Sequence, residues 1–449
     1  MSTNQTRHIL IQTYGCQMNV YDTEIMWRLL HPLGYRAAAS EKTADIILIN
    51  TCAIREKAEQ KVFSFLGRLA LLKQNRPQLI IGICGCIAQN QGKTLIQRSP
   101  CIDFVVGTHA LFQLPSILDR VWNGQHRQKV YVDFEDHLID VDLDHSPIMN
   151  TDISGFVTIM RGCNNYCAYC VVPYVRGREM SRPSDNIINE IKHKVSKGMR
   201  EVTLLGQNVN SYGKREGMVS FSALLAEVNE IKDLLRIRFT TSHPKDLDMD
   251  LMDAFANLEK LCAHIHLPVQ SGSDQILKRM NRKYTRKEYL AKIDRLKNKC
   301  PDISITSDFI VGFPGETRED FDDSLSLIRD VEYDSLFAFQ YSDRDIAPAS
   351  QFFPKVDDKI KRDRLIELLD VQSKNTLKRN DRCIGQCHSV LVEGKSKRDT
   401  DQWTGRTSGN KIVNFIAPET TNNLNAFLVD VFIEEACAHS LRGYLCHMK

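Results

Sequence analysis

The sequence predicts an α/β protein in three parts: an open parallel α/β sheet, a partial (β/α)6 barrel and a small antiparallel β-barrel. Three observations carry that prediction. Short apolar runs alternate with amphipathic stretches to about residue 125, the same alternation resumes between 155 and 341, and beyond 381 short strands separated by turns take over. A chain of 449 residues is also too long for one ordinary core.

The first part, 7–125, offers HILIQT, ADIILINT, QLIIGICG and CIDFVVG as strands, with DTEIMWRLLHPLG and REKAEQKVFSFLGRLALLK as helices. Cys16, Cys52 and Cys86 follow the first three strands. In an open parallel sheet the carboxyl ends of the strands face one crevice, so three thiols far apart in sequence are expected to converge. A single buried strand cysteine is usually inert packing, and Cys84 is read that way. Gly85 lets Cys86 leave the sheet. Residues 126–148 form an acidic linker, with six carboxylates and no Lys or Arg between 131 and 147.

The second part, 149–380, offers GFVTIM, EVTLLG, LRIRFTT, CAHIHLP, ISITSDFIVG and DSLFAFQY as strands. Helical patterns fall between them. Polar loops follow the strands: GQNVNSYG, TSHP, PVQSGS, and Asp308 ahead of VGFPGE. The working face of such a barrel is at these carboxyl ends. The third part, 381–446, offers CHSVLVEGKSK, TGRTSGNKIVNF and FLVDVFIEEACAHSLRGYL as short strands. Lys395, Lys397, Arg398, Arg406 and Lys411 give it a basic edge suited to RNA, against the plainer reading of a mixed charged surface. A zinc site among Cys383, Cys387, His388, Cys437, Cys446 and His447 is a further reading, beside packing or surface roles.

Composition narrows the chemistry. No secretory segment opens the sequence, and the apolar run at 79–88 is about half the length of a membrane span, so a cytoplasmic protein without a membrane partner is expected. Fourteen cysteines then point to metal or redox chemistry rather than a disulfide framework. The net charge of +3 says little about partners.

Residues 162–170, GCNNYCAYC, place Cys163, Cys167 and Cys170 in the loop after the first barrel strand. Zinc would need a fourth ligand from elsewhere, and a thioredoxin-like reading of the last pair leaves Cys163 without a role. A cubane cluster on three thiolates keeps one iron open and reactive. The C-x3-C-x2-C spacing, with Tyr169 before the last cysteine, resembles the radical S-adenosylmethionine (SAM) enzymes. With TYGCQMN, NTCAIREKAEQKVFSFLGRL, GICGCIAQ and RGCNNYCAYCVVPYVRGRE, the whole chain resembles the methylthiotransferases within that superfamily.

That resemblance implies two 4Fe-4S clusters, a radical cluster on Cys163, Cys167 and Cys170 and an auxiliary one on Cys16, Cys52 and Cys86. It implies two SAM molecules per turnover, one methylating a sulfur and one yielding the radical that takes hydrogen from the target carbon. Asn208, Ser242, His266, Gln270 and Asp308 would contact SAM, or would hold their loops by hydrogen bonds. Gly206-Gln207-Asn208 stands where many radical SAM enzymes carry Gly-Gly-Glu. The terminal barrel would be an OB-like TRAM domain binding the tRNA anticodon stem-loop. TYGCQMN and NTCAIREKAEQKVFSFLGRL, together with LLGQNVNSYG and HSLRG, are most similar to members acting at C2 of N6-dimethylallyladenosine beside the anticodon. Other members act on threonylcarbamoyl adenosine or on a ribosomal-protein aspartate, and a metal-stabilised RNA-binding protein without activity is the rival from another class. A monomer served by a separate electron donor and sulfur source is expected. Arg161, Arg176, Arg178 and Arg182 bracket the radical loop, either to steer phosphates or to brace the loop.

Overall fold

Parallel strands with continuous apolar runs need cover on both faces, and the first of two compact units supplies it. The computed structural model describes residues 6–53, 56–125, 128–134, 153–214, 217–397, 399, 401–418 and 423–448. The first unit comprises residues up to 149 together with 160–164 and 170–182.

Its sheet contains β1 (Arg7–Tyr14), β2 (Tyr35–Ala37), β3 (Ile46–Thr51), β4 (Ile80–Gly85), β5 (Phe104–Val106) and β6 (Lys129–Tyr131). They are ordered β2-β1-β3-β4-β5-β6, and every neighbouring pair is parallel. Ile46 and Leu48 join Met26, Leu30, Ile117 and Val121 on one face, while Ile47 and Ile49 join Val62, Phe65, Leu69 and Leu95 on the other. Helices α1 (Gln17–Leu30) and α4 (Leu114–Trp122) therefore cover one side, and α2 (Glu56–Asn75) and α3 (Cys86–Arg98) the other. The four sequence-predicted strands are present. The acidic stretch contributes Lys129–Tyr131 to the sheet, and 135–152 lie outside the described residues. Two-residue strands β8 (Met160–Arg161) and β9 (Met180–Ser181) pair antiparallel, with the short α5 (Val172–Arg176) between them.

The second unit comprises 150–159, 165–169 and 183–449. Its six parallel strands are β7 (Ser154–Thr158), β10 (Glu201–Leu205), β11 (Arg236–Phe239), β12 (His264–His266), β13 (Ser304–Val311) and β14 (Ser335–Gln340). They form two ladders of three, joined by an Ile237 to Leu261 bridge, as a partial (β/α)6 barrel. Helices α6 (Ser184–Ser196), α7 (Phe221–Asn229), α8 (Met249–Asn257), α9 (Asp274–Arg279), α10 (Arg286–Lys299) and α11 (Arg318–Val331) connect them. Capping boxes start α10 at Thr285 with Glu288, and α11 at Thr317 with Asp320. Along β13, Ile305, Ser307, Phe309 and Val311 are buried, while Thr306, Asp308 and Ile310 on the other face are half-exposed.

Helix α12 (Asp358–Asp381) then packs on β14 and α11 and leads into the terminal barrel. This closes in the order β15-β16-β17-β19-β18, from β15 (Cys387–Lys395), β16 (Trp403–Thr407), β17 (Ile412–Ile416), β18 (Leu428–Ala436) and β19 (Leu441–Met448). Four of its ladders are antiparallel, as expected of this part, and β17 with β19 closes it in parallel. Arg236 and Arg238 on β11 hold it, donating to the Ser389 and Ser408 carbonyls at 2.9 Å and the Thr407 carbonyl at 2.8 Å. Among the described residues no helix is long and apolar enough to cross a membrane.

Candidate functional site

In the first unit the strand ends bring the three distant cysteines together. Cys16 caps α1 in extended conformation, Cys52 follows β3, and Gly85, at φ 92°, turns the chain so that Cys86 begins α3. A buried pair of asparagines ties the ends to one another. Asn19 Nδ2 donates to Asn50 Oδ1 and to the Thr51 carbonyl, each at 3.1 Å, and Asn50 Nδ2 donates to the Asn19 carbonyl at 2.7 Å. Cys16 Sγ reaches Asn19 Oδ1 at 3.4 Å.

The electrostatics favour a thiolate. Hydrogen bonding from Cys52 brings the Cys16 thiol down to about 6, with Arg176 assisting and burial opposing. Burial pushes the Cys86 thiol up, opposed by Arg176, whose Nε donates to Cys86 Sγ at 3.2 Å. Asp22 Oδ1 and Oδ2 accept from the same guanidinium at 3.1 and 2.5 Å. Cys84 is fully buried, its thiol pushed far up by burial, as a packing residue should be.

The loop of the second trio divides between the units. Cys163 and Cys170 go with the first, Cys167 with the second. Gly162 has φ 76°, and the Cys163 N–H donates to the Gly177 carbonyl at 3.2 Å. The Val172 N–H donates to Cys170 Sγ at 3.4 Å. In the second unit, buried Cys167 receives Arg282 Nη1 at 3.4 Å and approaches His243 Nε2 at 3.9 Å. His243 Nδ1 accepts from the Lys245 N–H at 3.2 Å, which puts the ring proton on Nε2, toward the sulfur. Burial holds this imidazole neutral by driving its pKa far below the usual range.

Among the described residues no three His, Cys, Asp or Glu are gathered so as to hold a single metal ion. An iron-sulfur cluster spreads its thiolates over several irons and does not ask for that crowding. In the terminal barrel Cys387 and Cys446 approach to 3.3 Å, and among the described residues no four-ligand set of the kind a structural zinc requires forms around them.

The five barrel residues fall into two groups. Asn208 donates through Nδ2 to Asp246 Oδ2 at 2.8 Å, but among the described residues its buried Oδ1 has no partner, nor has the buried Oγ of Ser242. Buried polar atoms are normally satisfied, so this pair fits a polar ligand such as the SAM methionine group. Asp246 is itself secured by Lys214. His266 and Asp308 instead pair with each other, Nε2 to Oδ2 at 3.4 Å, while His266 Nδ1 meets Thr306 Oγ1 at 3.0 Å. Gln270 works through its backbone: at φ 78° it bridges Phe309, taking the Ile310 N–H and donating to the Asp308 carbonyl.

Other residues carry the site without having been singled out. Asn19 and Asn50 lie inside the cysteine segments, and their burial beside strand ends is visible only in the fold. Phe337 and Phe339, 55% and 41% exposed, stand on β14 opposite Asp308 and Ile310 and share their face. Their period-2 spacing with Ser335 was the available signal. Two of the arginines bracketing the radical loop are bracing residues: Arg176 is buried on Asp22, and Arg182 is buried with Nη1 3.4 Å from Tyr21 Oη. The expected basic edge is thinner than its sequence. Arg406 pairs with Glu393 at 2.8 Å, Lys411 with Asp334 at 2.8 Å, Lys395 lies over Trp403, and Arg398 lies outside the described residues.

Comparison with known proteins finds matches in both parts of the chain. The model of the radical SAM superfamily matches residues 157–328, and that of an uncharacterized protein family, UPF0004, matches 8–107. A protein of Desulfosudis oleivorans named tRNA-2-methylthio-N(6)-dimethylallyladenosine synthase is 50% identical, across 97% of this chain and 96% of its own. One of the same name from Syntrophus aciditrophicus is 49% identical, across 97% and 94%. The solved radical SAM methyltransferase TsrM of Kitasatospora setae shares the fold at a TM-score of 0.59 and 13% identity, over 77% of this chain and 75% of that one.

Proposed function

The chain belongs to the radical SAM tRNA methylthiotransferases, in the family of the tRNA-2-methylthio-N(6)-dimethylallyladenosine synthases, and on that premise we propose that it methylthiolates C2 of N6-dimethylallyladenosine beside the anticodon of tRNA. The observation that carries the reading is the second cysteine set. A radical SAM barrel alone needs three thiolates, and this chain gathers three more at the ends of its N-terminal strands.

When bound, SAM and the two 4Fe-4S clusters supply a hydrogen-abstracting radical and a place to present sulfur. The protein's part is to hold, orient and shield. Cys163, Cys167 and Cys170 hold the radical cluster, and Cys16, Cys52 and Cys86 the auxiliary one. Asn208 Oδ1 and Ser242 Oγ take polar groups of SAM, a role supported by their want of partners. The His266–Asp308 pair keeps an orienting hydrogen-bond group at the barrel mouth. Phe337 and Phe339 offer apolar faces on which an adenine ring and its prenyl chain can rest, since every base has a face to stack. The terminal barrel, as a TRAM domain with Lys397, contacts the anticodon stem-loop in the cytoplasm.

Anaerobic reconstitution of the full chain tests the proposal. About eight irons per chain are expected, and incubation with SAM, reductant and tRNA carrying dimethylallyladenosine should yield 2-methylthio-N6-dimethylallyladenosine by nucleoside mass spectrometry. A methylthio mark on threonylcarbamoyl adenosine, or on no nucleoside, would overturn it.

A further inference from the structure

Each cysteine set carries a buried guanidinium on one sulfur, and the two guanidinia differ in what neutralises them. Arg176, on Cys86, is matched by the Asp22 carboxylate. Arg282, on Cys167, makes all its other bonds to neutral acceptors. Nη1 also donates to Tyr169 Oη at 3.2 Å, Nε to Tyr284 Oη at 2.9 Å, and Nη2 to the Pro268 carbonyl at 2.5 Å. Tyr284 in turn gives its proton to the Val269 carbonyl at 2.9 Å, and burial raises its pKa to about 12, so it brings no negative charge. Among the described residues no carboxylate pairs with Arg282, which is 3% exposed. The second group on Cys167, His243, accepts the Lys245 N–H at Nδ1 and so presents a single N–H to the sulfur.

We propose that Arg282 is a positioning residue that sets the reduction potential of the radical cluster, by holding an uncompensated positive charge against the Cys167 sulfur. The inference rests on the assignment of Cys163, Cys167 and Cys170 to that cluster. One-electron reduction adds one negative charge to the site, supplied by an external low-potential donor. A fixed cation and an N–H on a ligating sulfur stabilise the added charge and raise the potential. Arginine stays protonated in both oxidation states, so no proton moves with the electron. At the other trio Asp22 cancels the corresponding charge, which lets the two clusters differ in potential although each rests on three cysteines and one arginine. Reduction would then favour the cluster that faces SAM.

The test is a redox titration followed by electron paramagnetic resonance on the anaerobically reconstituted full chain without tRNA, taking the signal that changes when SAM is added as the radical cluster. Arg282→Gln should lower the reduced fraction at a fixed potential at least tenfold, a shift of ~59 mV for one electron, and leave the other cluster in place. Arg282→Lys keeps the charge and should stay near the wild-type midpoint, which also decides the matter if the Gln variant fails to hold iron. An iron-loaded Gln variant with an unmoved or raised midpoint overturns the proposal, as does a Lys variant that falls tenfold. Wild-type protein with no SAM-responsive signal overturns the functional reading together with it, whereas an unmoved Gln midpoint in protein that still makes the methylthio product overturns this proposal alone.

Discussion

The two cysteine trios proposed as cluster ligands reach the same number by opposite routes. Cys16, Cys52 and Cys86 come from separate strand ends and meet because a parallel sheet aligns those ends, with Asn19 and Asn50 cross-linking them. Cys163, Cys167 and Cys170 come from one loop, whose spacing brings them near before any sheet forms. A long-range trio inherits the stability of its domain; a local trio inherits the geometry of one turn. The two should therefore fail for different reasons, with Arg176, which donates to Cys86 Sγ, as a link between them.

Removing a ligand breaks the comparison most sharply. Cys163→Ala should abolish SAM cleavage, and with it every later step, whereas Cys16→Ala should spare cleavage and abolish only methylthio transfer. Chromatography for 5'-deoxyadenosine separates the two. Variants that behave alike would show that the trios do not divide the work.

A smaller effect should come from Asp22, which touches no iron. Asp22→Ala leaves the Arg176 guanidinium buried without its carboxylate, a loss of about 3–5 kcal/mol for a broken buried pair. Anaerobic urea denaturation should show the first unit weakened and the auxiliary iron lost first. Replacing both partners with apolar residues of like volume, Asp22→Leu with Arg176→Met, should recover much of that stability. If the single variant is as stable as wild type, Arg176 is neutralised by something other than Asp22.

The same contrast explains what was legible in the sequence. β1, β3, β4 and β5 stand out as apolar runs because both faces are covered, whereas the three-residue strands Tyr35–Ala37 and Lys129–Tyr131 at the sheet edges are too short and polar to signal themselves. Helix α12 buries Arg364, Leu368, Gln372 and Asn380, a stripe with one apolar member, so its periodicity is hidden. The cysteines were readable because thiols are rare and their strand ends were visible. Asn19, Asn50, Asp22 and Arg282 were not, since a common polar residue becomes part of a site only through neighbours the fold brings to it. Charge misleads in the other direction: Arg406 and Lys411 look like an RNA edge in sequence, yet each pairs with a carboxylate of the chain, Lys411 with the buried Asp334.

The local trio has its own weak point, at Gly162. Its φ of 76° is a left-handed conformation, and a Cβ there would stand 2.0 Å from the Arg178 carbonyl oxygen and 2.5 Å from that of Gly177. Gly162→Ala must both bear the strain, about 1–2 kcal/mol, and push the returning backbone away. That backbone includes the Gly177 carbonyl which accepts the Cys163 N–H, so the displacement reaches Cys163 directly. The strand-end cysteines share no backbone with this turn, and the side-chain link between them is Arg176, which precedes Gly177 and donates to Cys86 Sγ. The variant should keep about four of its irons, still fold, and cleave SAM at least about tenfold more slowly, since 1.4 kcal/mol is one decade. Iron analysis paired with 5'-deoxyadenosine yield reads both effects. Loss of all iron would mean that the local trio stabilises the distant one.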